Sequence, residues 1–484
     1  MVTFLIGLAI LFIGGGIYGA YCEKVFSPDD RQTPAVLQND GVDFVPMPKW
    51  KNSLIELLNI AGTGPILGPI QGILFGPIAF ILIPLGCVLG GALHDYMSGM
   101  ISLRCKGEQM PALIKKFLGQ KIFPWYNAFV CLLMLLVGAV FIYTPGDLFV
   151  TGVLHSSSDS GNYLVWVVYG IIFLYYLIAT LFPIDKIIGT VYPVFGAILL
   201  LSVVGIFIGL FTHGYSLDNL TAAGILGCHP KNIPLLPVFF VTVACGIVSG
   251  FHSTQATLIG RSVKNEREGR MTFFNMMLLE GFIAMVWAAA AMGIYNQGIA
   301  QDMIGKPGVI GLVANDLLGG TGGMIAIIGV VVLSITSGDT ALRALRLMLG
   351  DFLKIDQTLA RNRLLLSGAI FSLVAAILVF AKLSAEGFNI LWRYFAWSNQ
   401  TIAIFAFAMI AIYLFREKRN YLIAVLPGMF YTFIISSYIL YAKIGFNLPI
   451  GAASVLGVLL AGLYGWATIH KAKSELADKI ELES

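Results

Sequence analysis

The sequence carries little charge, and neither sign dominates. Only 12% of its 484 residues are charged, whereas an ordinary globular domain carries about 25%. The 30 Lys and Arg residues nearly balance the 26 Asp and Glu residues, for a net charge of +4, which excludes a nucleic-acid binder with a broad basic surface. The motifs HExxH, GxSxG and GxxxxGK(S/T) are also absent. We therefore expect neither an enzyme of those classes nor an ATP-driven pump.

Paired cysteines are missing as well. The six cysteines form no CxxC pair, and none stands at metal-ligand spacing from a histidine. We interpret them as small apolar residues within helices and predict no metal site. They are Cys22, Cys87, Cys105, Cys131, Cys228 and Cys245.

Long apolar runs make up most of the chain. Hydrophobic residues account for 58% of it and the mean hydropathy is +0.85, which indicates a membrane protein. A bilayer core needs about 20 apolar residues per helix. The first run lacks the basic start of a signal peptide, so we keep it as a transmembrane helix. Thirteen such runs begin near residues 2, 53, 75, 123, 162, 186, 236, 272, 321, 364, 389, 420 and 447. The sequence thus predicts an all-α polytopic membrane protein with about 13 transmembrane helices.

The distribution of Lys and Arg predicts the orientation. An alternating path that starts outside puts 25 of the 30 basic residues in inner segments, four in outer segments and one, Arg393, within a span. Basic residues concentrate on the cytoplasmic side, so we predict an outer N-terminus and a cytoplasmic C-terminus. Residues 110–118 are expected to form a helix on the inner surface, and residues 306–318 an outer lid.

Two runs contain interruptions. Residues 59–70 include two prolines and three glycines, and residues 244–255 combine glycines with polar side chains. In a helix interior, Gly costs about 1 kcal/mol and Pro about 3 kcal/mol relative to Ala. Glycine patches alone can simply permit close helix packing. Prolines in one patch and polar side chains in the other favour broken helices.

The interruptions lie at equivalent positions of two five-helix units, offset by about 183 residues. An odd number of spans per unit turns the second copy over, which predicts a 5+5 inverted repeat with a broken first helix in each half. The predicted organisation is a leading helix and inner loop (1–52), the first repeat (53–211), an outer loop (212–235), the second repeat (236–415), and two further helices with a cytoplasmic tail (416–484).

The broken helices suggest a substrate site. Helix starts carry positive partial charge and present backbone N–H groups, so the half-helices are expected to bind a substrate carboxylate. Asn399 and Gln400 either bind substrate or satisfy the broken helices. The candidate substrate-binding residues are Thr63, Gly64, Gly246, Ser249, Gly250, His252, Asn399 and Gln400.

Ionisable residues within the spans suggest ion coupling. Glu280 is the first candidate for a proton carrier, with a structural hydrogen bond as the alternative. The hydroxyls of Ser334, Thr336 and Ser337 offer a Na⁺ site instead.

Other charged residues in the spans are candidate ion pairs or relays. Asp339 is a further candidate for ion coupling, and its structural alternative, which we favour, is a pair with Arg343 at i+4. Arg346 belongs to the same group of candidates. His94 and Asp95 form either a proton relay or an interface pair. Arg393 either guides anions or extends to the membrane surface.

Several motifs resemble the carbon starvation protein A family. These are residues 41–46 (GVDFVP), 61–69 (AGTGPILGP), 249–255 (SGFHSTQ) and 397–400 (WSNQ), together with Asp339 followed by Arg343 and Arg346. The chain is shorter than the larger family members, and it has Asp-Thr-Ala-Leu-Arg at 339–343 where the family pattern has Asp-x-Gly-Thr-Arg.

The resemblance implies a bacterial inner-membrane importer of peptides or pyruvate with a leucine-transporter-like fold, related to the amino acid, polyamine and organocation superfamily. We predict a secondary active symporter whose partners are a small-molecule substrate and the lipid bilayer. H⁺ or Na⁺ is the coupling ion, and no other cofactor is expected. The alternatives are a nutrient sensor that binds the same ligand without transport, and an intramembrane enzyme, for which no catalytic set is recognisable.

Overall fold

The computed structural model describes residues 1–40, 44–181, 185–299, 301–355 and 359–483, and these residues form helices without any β-strand. In chain order the helices are α1 (Val2–Phe26), α2 (Lys49–Ile60), α3 (Gly64–Phe75), α4 (Ala79–Arg104), α5 (Met110–Leu118), α6 (Phe123–Gly152), α7 (Tyr163–Leu181), α8 (Asp185–Thr212), α9 (Leu235–Thr242), α10 (Ala244–Ile247), α11 (Gly250–Ile259), α12 (Glu266–Asn296), α13 (Val309–Leu353), α14 (Ala360–Leu383), α15 (Gly387–Arg416), α16 (Leu422–Tyr441) and α17 (Ile450–Glu483).

In the described part of the chain, ten helices are long and apolar enough to cross a membrane, and α2 with α3 makes an eleventh if the bent pair is one span. The runs predicted to begin near residues 162 and 236 correspond to the shorter apolar helix α7 and to the three short helices α9 to α11. The protein is therefore an all-helical, multi-pass membrane protein, and the count of thirteen spans stays a prediction.

The first predicted interruption separates α2 from α3. Residues 61–63 break the helix, and α3 leaves at 53° to α2. Gly64 and Pro65 begin α3, where a proline costs no hydrogen bond because the first N–H groups of a helix have no partner within it. Proline and glycine thus set both the break and the restart.

The second predicted interruption lies between α10 and α11. Val248 (φ −156°, ψ 136°) and Ser249 (φ −140°, ψ 124°) are extended, and α11 begins at Gly250. The single turn α10 is separated from α9 by Val243, which is also non-helical. Both predicted interruptions are present.

Contacts bring predicted inner segments together on one face. The Arg104 guanidinium binds the Glu266 carboxylate through two hydrogen bonds of 3.0 Å. Arg261 donates to the carbonyl of Gly107, and Arg270 lies 3.1 Å from Glu23. The ends of α1, α4, α11 and the start of α12 therefore share this face.

The opposite face carries the N-terminus. The Met1 ammonium donates to the carbonyl of Leu217 at 2.5 Å, and the Tyr215 hydroxyl donates to Asp316. Residues predicted to lie outside thus meet at this end, which we call the N-terminal face.

Two surface predictions have structural counterparts. The amphipathic segment 110–118 is a helix with the predicted bounds, and its apolar side chains Leu113, Ile114 and Phe117 are buried. The segment predicted as a lid forms the start of α13, which Gly319 (φ +72°) separates from the remainder. Residues 41–43 of the first family motif lie outside the described residues.

The cysteines are free thiols, and four of them, Cys22, Cys87, Cys105 and Cys245, are buried as expected of small apolar residues. Cys228 corrects that interpretation, since it is exposed in the loop before α9. The predicted outer loop 212–235 already contained Cys228, so its exposure follows from that prediction and not from the general interpretation of the cysteines.

Candidate functional site

The two broken helices meet at a small cavity. Its volume is about 20 Å³, enough for about one water molecule. Both breaks contribute to its wall, and α6, α13 and α15 close it. The lining includes Asn59, Gly64, Ser249, His252, Ser337 and Asn399. Five of these six belong to the predicted substrate or ion sites, so the fold brings together residues up to 340 positions apart in sequence.

Asn399 holds the second break. Its Oδ1 accepts hydrogen bonds from the Ser249 hydroxyl and from the backbone N–H of Phe251, both at 3.0 Å. Its Nδ2 donates to Cys245 Sγ at 3.2 Å. An amide from α15 therefore replaces backbone hydrogen bonds that α10 and α11 lose at the interruption.

Gln400 binds the same broken segment one residue further on. Its Nε2 donates to the carbonyl of Phe240 in α9 at 2.8 Å. Its Oε1 is buried and has no hydrogen-bond partner among the described residues, and the same is true of Thr63 Oγ1 at the start of α3. These two atoms can still take a hydrogen bond from a ligand or a water molecule.

Glycine is required where the broken helices touch their neighbours. A Cβ atom on Gly64 would lie 2.5 Å from the Cβ of Cys245, and one on Gly250 would lie 2.4 Å from the Cβ of Ile402. Gly246 is less tight, with 3.0 Å to the Cβ of Ala284. These glycines let α3, α11 and α15 approach closely around the cavity.

A cluster of ionisable side chains lies beside the cavity. His252 Nδ1 is 3.2 Å from Asp95 Oδ2 and 3.5 Å from Glu280 Oε2. Asp95 Oδ1 is also 2.8 Å from His94 Nδ1. All four side chains are at most 2% exposed. The structure therefore joins α4, α11 and α12 through groups that can exchange protons.

Glu56 completes this group, which we call the central cluster (Glu56, His94, Asp95, His252 and Glu280). It is fully buried in α2 and interacts electrostatically with Asp95 and Glu280. Sequence analysis missed Glu56. It is a lone carboxylate in the run Ser-Leu-Ile-Glu-Leu-Leu, five residues before the first break, and that position was the available signal.

The hydroxyls of α13 bond within their own helix. Ser334 donates to the carbonyl of Val330 at 2.7 Å, whereas Thr336 and Ser337 both donate to that of Leu333 at 2.9 Å. Ser337 also lines the cavity. Of the three candidate Na⁺ ligands, the structure thus brings one to the cavity wall.

The Arg residues of α13 lie with Asp339, away from the central cluster. Asp339 Oδ2 is 3.5 Å from Arg343, the partner that the i+4 spacing predicts, and Arg343 also donates to the carbonyl of Ala179. The guanidinium of Arg346 is near those of Arg343 and Arg363. These contacts join α13 to α7.

A second buried charged group was not predicted. Lys382 Nζ lies 2.7 and 2.8 Å from the two oxygens of Asp147, and the Tyr169 hydroxyl donates to Asp147 at 2.5 Å. The ammonium also lies 4.7 Å from the centre of the Tyr143 ring. We call this the α6–α14 ion pair (Asp147 and Lys382). Lys382 is one of the four basic residues that the sequence analysis counted in outer segments, because it stands at the end of an apolar run.

No group of three or more His, Cys, Asp or Glu side chains in the described ranges has the arrangement of a metal site. The carboxyl and imidazole groups of the central cluster are of the kind that hold and exchange protons.

Comparison with known proteins gives one family. The family model for carbon starvation protein CstA matches residues 1–204, 158–318 and 311–437. The peptide transporter CstA of Escherichia coli K12 is 24% identical, covering 85% of this chain and 76% of that protein. The pyruvate/proton symporter BtsT of the same organism is 25% identical over 64% of this chain and 51% of its own length.

The fold is similar to that of a solved transporter. The Eremococcus coleocola manganese transporter superposes with a TM-score of 0.59 at 11% identity, covering 90% of this chain and 97% of that chain. This likeness concerns the fold alone. The family match confirms the family predicted from the sequence motifs, and the structural likeness supports the all-helical fold.

Proposed function

Because this chain belongs to the carbon starvation protein CstA family, we propose that it is a proton-coupled secondary transporter that imports peptides or small carboxylates such as pyruvate across the bacterial inner membrane. The observation that carries the proposal is the central cluster, where His252 lies 3.2 Å from Asp95 and 3.5 Å from Glu280 beside both helix breaks. The names of the relatives, a peptide transporter and a pyruvate/proton symporter, support the same reading.

The charge of the central cluster supports proton coupling. Three carboxylates, Glu56, Asp95 and Glu280, are buried and interact electrostatically with one another, and three adjacent negative charges are costly at membrane depth. The cluster must therefore hold protons, and a change in its surroundings changes the number of protons that it holds. His252 connects it to substrate binding because its side chain also lines the cavity.

Sodium coupling has less support. A Na⁺ ion needs several oxygens directed at one point, and of the three α13 hydroxyl residues only Ser337 lines the cavity. We therefore propose H⁺ as the coupling ion and Glu280 as its carrier, with Asp95, His94 and Glu56 sharing the proton.

The substrate carboxylate is proposed to bind at the start of α11. There the side-chain oxygen Oδ1 of Asn399 accepts hydrogen bonds from the Phe251 N–H and the Ser249 hydroxyl. These two donors suit a carboxylate oxygen equally well. The cavity of about 20 Å³ is too small for any proposed substrate, so binding requires the broken helices to move. We propose that α2–α3, α4 and α9–α12 rock against the remaining helices.

The proposed topology has thirteen spans in a 5+5 inverted repeat, with the N-terminal face outside. The bent pair α2–α3 and the interrupted segment α9–α11 support it, since each begins one of the proposed repeats. The contact between Met1 and Leu217 supports an even number of crossings between these residues.

Transport by purified protein in liposomes tests the proposal. We expect pyruvate or short peptides to accumulate under an inward proton gradient and not under a sodium gradient alone. Glu280→Gln should abolish gradient-driven accumulation yet retain counterflow, because exchange of substrate needs no net proton movement.

Glu417→Gln is the matched control, since it makes the same chemical change at an exposed carboxylate beyond the end of α15. It should transport like the unmodified protein. Absence of accumulation under either gradient would overturn the transport proposal, and ligand binding without transport would favour a sensor. Full accumulation by the Glu280 variant would remove Glu280 as the carrier.

A further inference from the structure

Arg393 is a cation near the outer end of α15 that the proposed mechanism does not use. It stands six residues before Asn399, which is about 9 Å along the helix, toward the N-terminal face. Its side chain is partly buried. A charged side chain at such a depth needs an explanation from its surroundings.

Among the described residues, the Arg393 guanidinium hydrogen-bonds the Thr242 hydroxyl at the end of α9. That hydroxyl in turn donates to the carbonyl of Val238 at 2.8 Å. A neutral hydroxyl cannot balance the charge. Within the described ranges, Arg393 has no carboxylate at ion-pair distance, and the Tyr438 hydroxyl group is its other electrostatic neighbour.

The nearest loop adds positive charge. Residues 227–234 pack on the end of α3, where the ring of His229 meets Phe75 edge-on at 4.8 Å. Burial, Arg393 and Lys231 together lower the pKa of His229 to about 4, so its imidazole is neutral at pH 7. We call Arg393, His229 and Lys231 the outer basic group, and in the described part of the chain no carboxylate is among the groups that act on Arg393 or His229.

A packed layer separates Arg393 from the cavity. A Cβ on Gly68 would lie 2.9 Å from the carbonyl oxygen of Thr242 and 3.7 Å from the Trp392 ring. Phe395, which lines the cavity, meets Trp392 at 5.4 Å between ring centres. Thr242, which binds Arg393, is therefore part of the packed layer that closes the cavity on the side of Arg393.

We propose that Arg393 is an outer receiving site for the carboxylate of the substrate, which binds there before the layer of Gly68, Thr242 and Trp392 opens. The inference rests on the proposed transport of carboxylates and adds a binding site to it. An Arg side chain that merely extended to the membrane surface would place its guanidinium in water. The guanidinium of Arg393 instead hydrogen-bonds Thr242 at the end of α9. Arg suits the role because its planar donors match a carboxylate.

Loss of a charge-assisted hydrogen bond weakens binding about 10–100-fold. We therefore expect Arg393→Gln to raise the KM for inward transport of pyruvate or trialanine by about that factor while Vmax changes less than about twofold. Arg393→Lys should lie between, because it keeps the charge and loses the planar geometry. Lys443→Gln, which removes an exposed positive charge from the same face, is the matched control and should keep the KM.

Ligand binding by detergent-purified protein separates this inference from the transport proposal. Thermal shift with pyruvate, trialanine and trialanine amide should show stabilisation by the two carboxylates and less by the amide. That difference should become smaller in Arg393→Gln, which keeps the proposed carboxylate contact at the start of α11. Equal affinities in the unmodified protein and both Arg393 variants would overturn the receiving site while transport stands. Carboxylate binding that depends on Arg393 without any transport would overturn the transport proposal while the site stands.

Discussion

The molecule buries charge in two ways that differ in how completely the charges are satisfied. In the α6–α14 ion pair, both oxygens of Asp147 accept hydrogen bonds from Lys382, and Tyr169 adds a third. In the central cluster, both oxygens of Glu56 and of Glu280 lack a hydrogen-bond partner among the described residues. The first group balances its charge, whereas the second contains more acids than bases.

The difference indicates different roles. A satisfied buried pair has one stable arrangement and resists change, since separating the charges leaves each unpaired in a medium of low dielectric constant. A group with spare acceptors gains from a proton or a donor supplied from outside. We infer that the α6–α14 ion pair fixes the helices that stay still and that the central cluster lies among those that move.

The largest expected effect is on folding stability. Asp147→Asn leaves the Lys382 ammonium buried without a negative partner, and breaking such a pair costs about 3–5 kcal/mol. We expect the free energy of unfolding, measured in detergent by SDS titration, to fall by about this amount. Protein that still folds should keep its coupling to the proton gradient.

Two variants test the cause. Asp147→Asn combined with Lys382→Met should recover much of the loss, since no unpaired charge remains. Glu108→Gln breaks the exposed pair with Lys116, at 3.2 Å with side chains 37% and 44% exposed, and should cost less than about 1 kcal/mol. Unchanged stability in the single Asp147 variant would contradict the structural role.

The breaks could be predicted from the sequence because they depend on neighbouring residues. Parts of both charged groups could not, because they depend on contacts between distant residues. Prolines and glycines act locally, so the breaks at 61–63 and 248–249 follow from neighbouring residues. Glu56, Asp147 and Lys382 acquire meaning only through partners on distant helices, such as Asp95 for Glu56. Asn399 was recognised as polar within a span, but its three bonds to the second break depend on how α15 packs.

The next effect is large on coupling and small on stability. Glu56→Gln removes one of three adjacent acids from the central cluster while keeping its shape, so the free energy of unfolding should change by less than about 1 kcal/mol. Proton-driven uptake should fall at least about tenfold, since the side chain at position 56 of α2 can no longer share the proton with the remaining acids. Uptake in liposomes at several pH values measures this.

Asp147→Asn is the informative counterpart, because it makes an equivalent change in the α6–α14 ion pair. The comparison predicts opposite outcomes: coupling lost and stability kept for Glu56, stability lost and coupling kept for Asp147. If Glu56→Gln were the more destabilising of the two, the distinction between the groups would be wrong.

The smallest effect concerns His229, which extends the comparison to a half-buried base outside the membrane spans. Burial and the nearby Arg393 and Lys231 lower its pKa from 6.5 to about 4. Between these values the unfolded chain binds a proton that the folded protein does not, so stability falls as the pH decreases from about 6.5 to 4. His229→Gln should remove this part of the pH dependence, so that the melting temperature varies less between pH 7 and pH 5.

His470→Gln, at an exposed position in α17, should leave the slope unchanged. Arg393→Gln should also flatten it, because the pKa of His229 rises when a neighbouring cation is removed. Parallel pH profiles for the unmodified protein and the His229 variant would mean that burial and the neighbouring cations do not lower the pKa of His229.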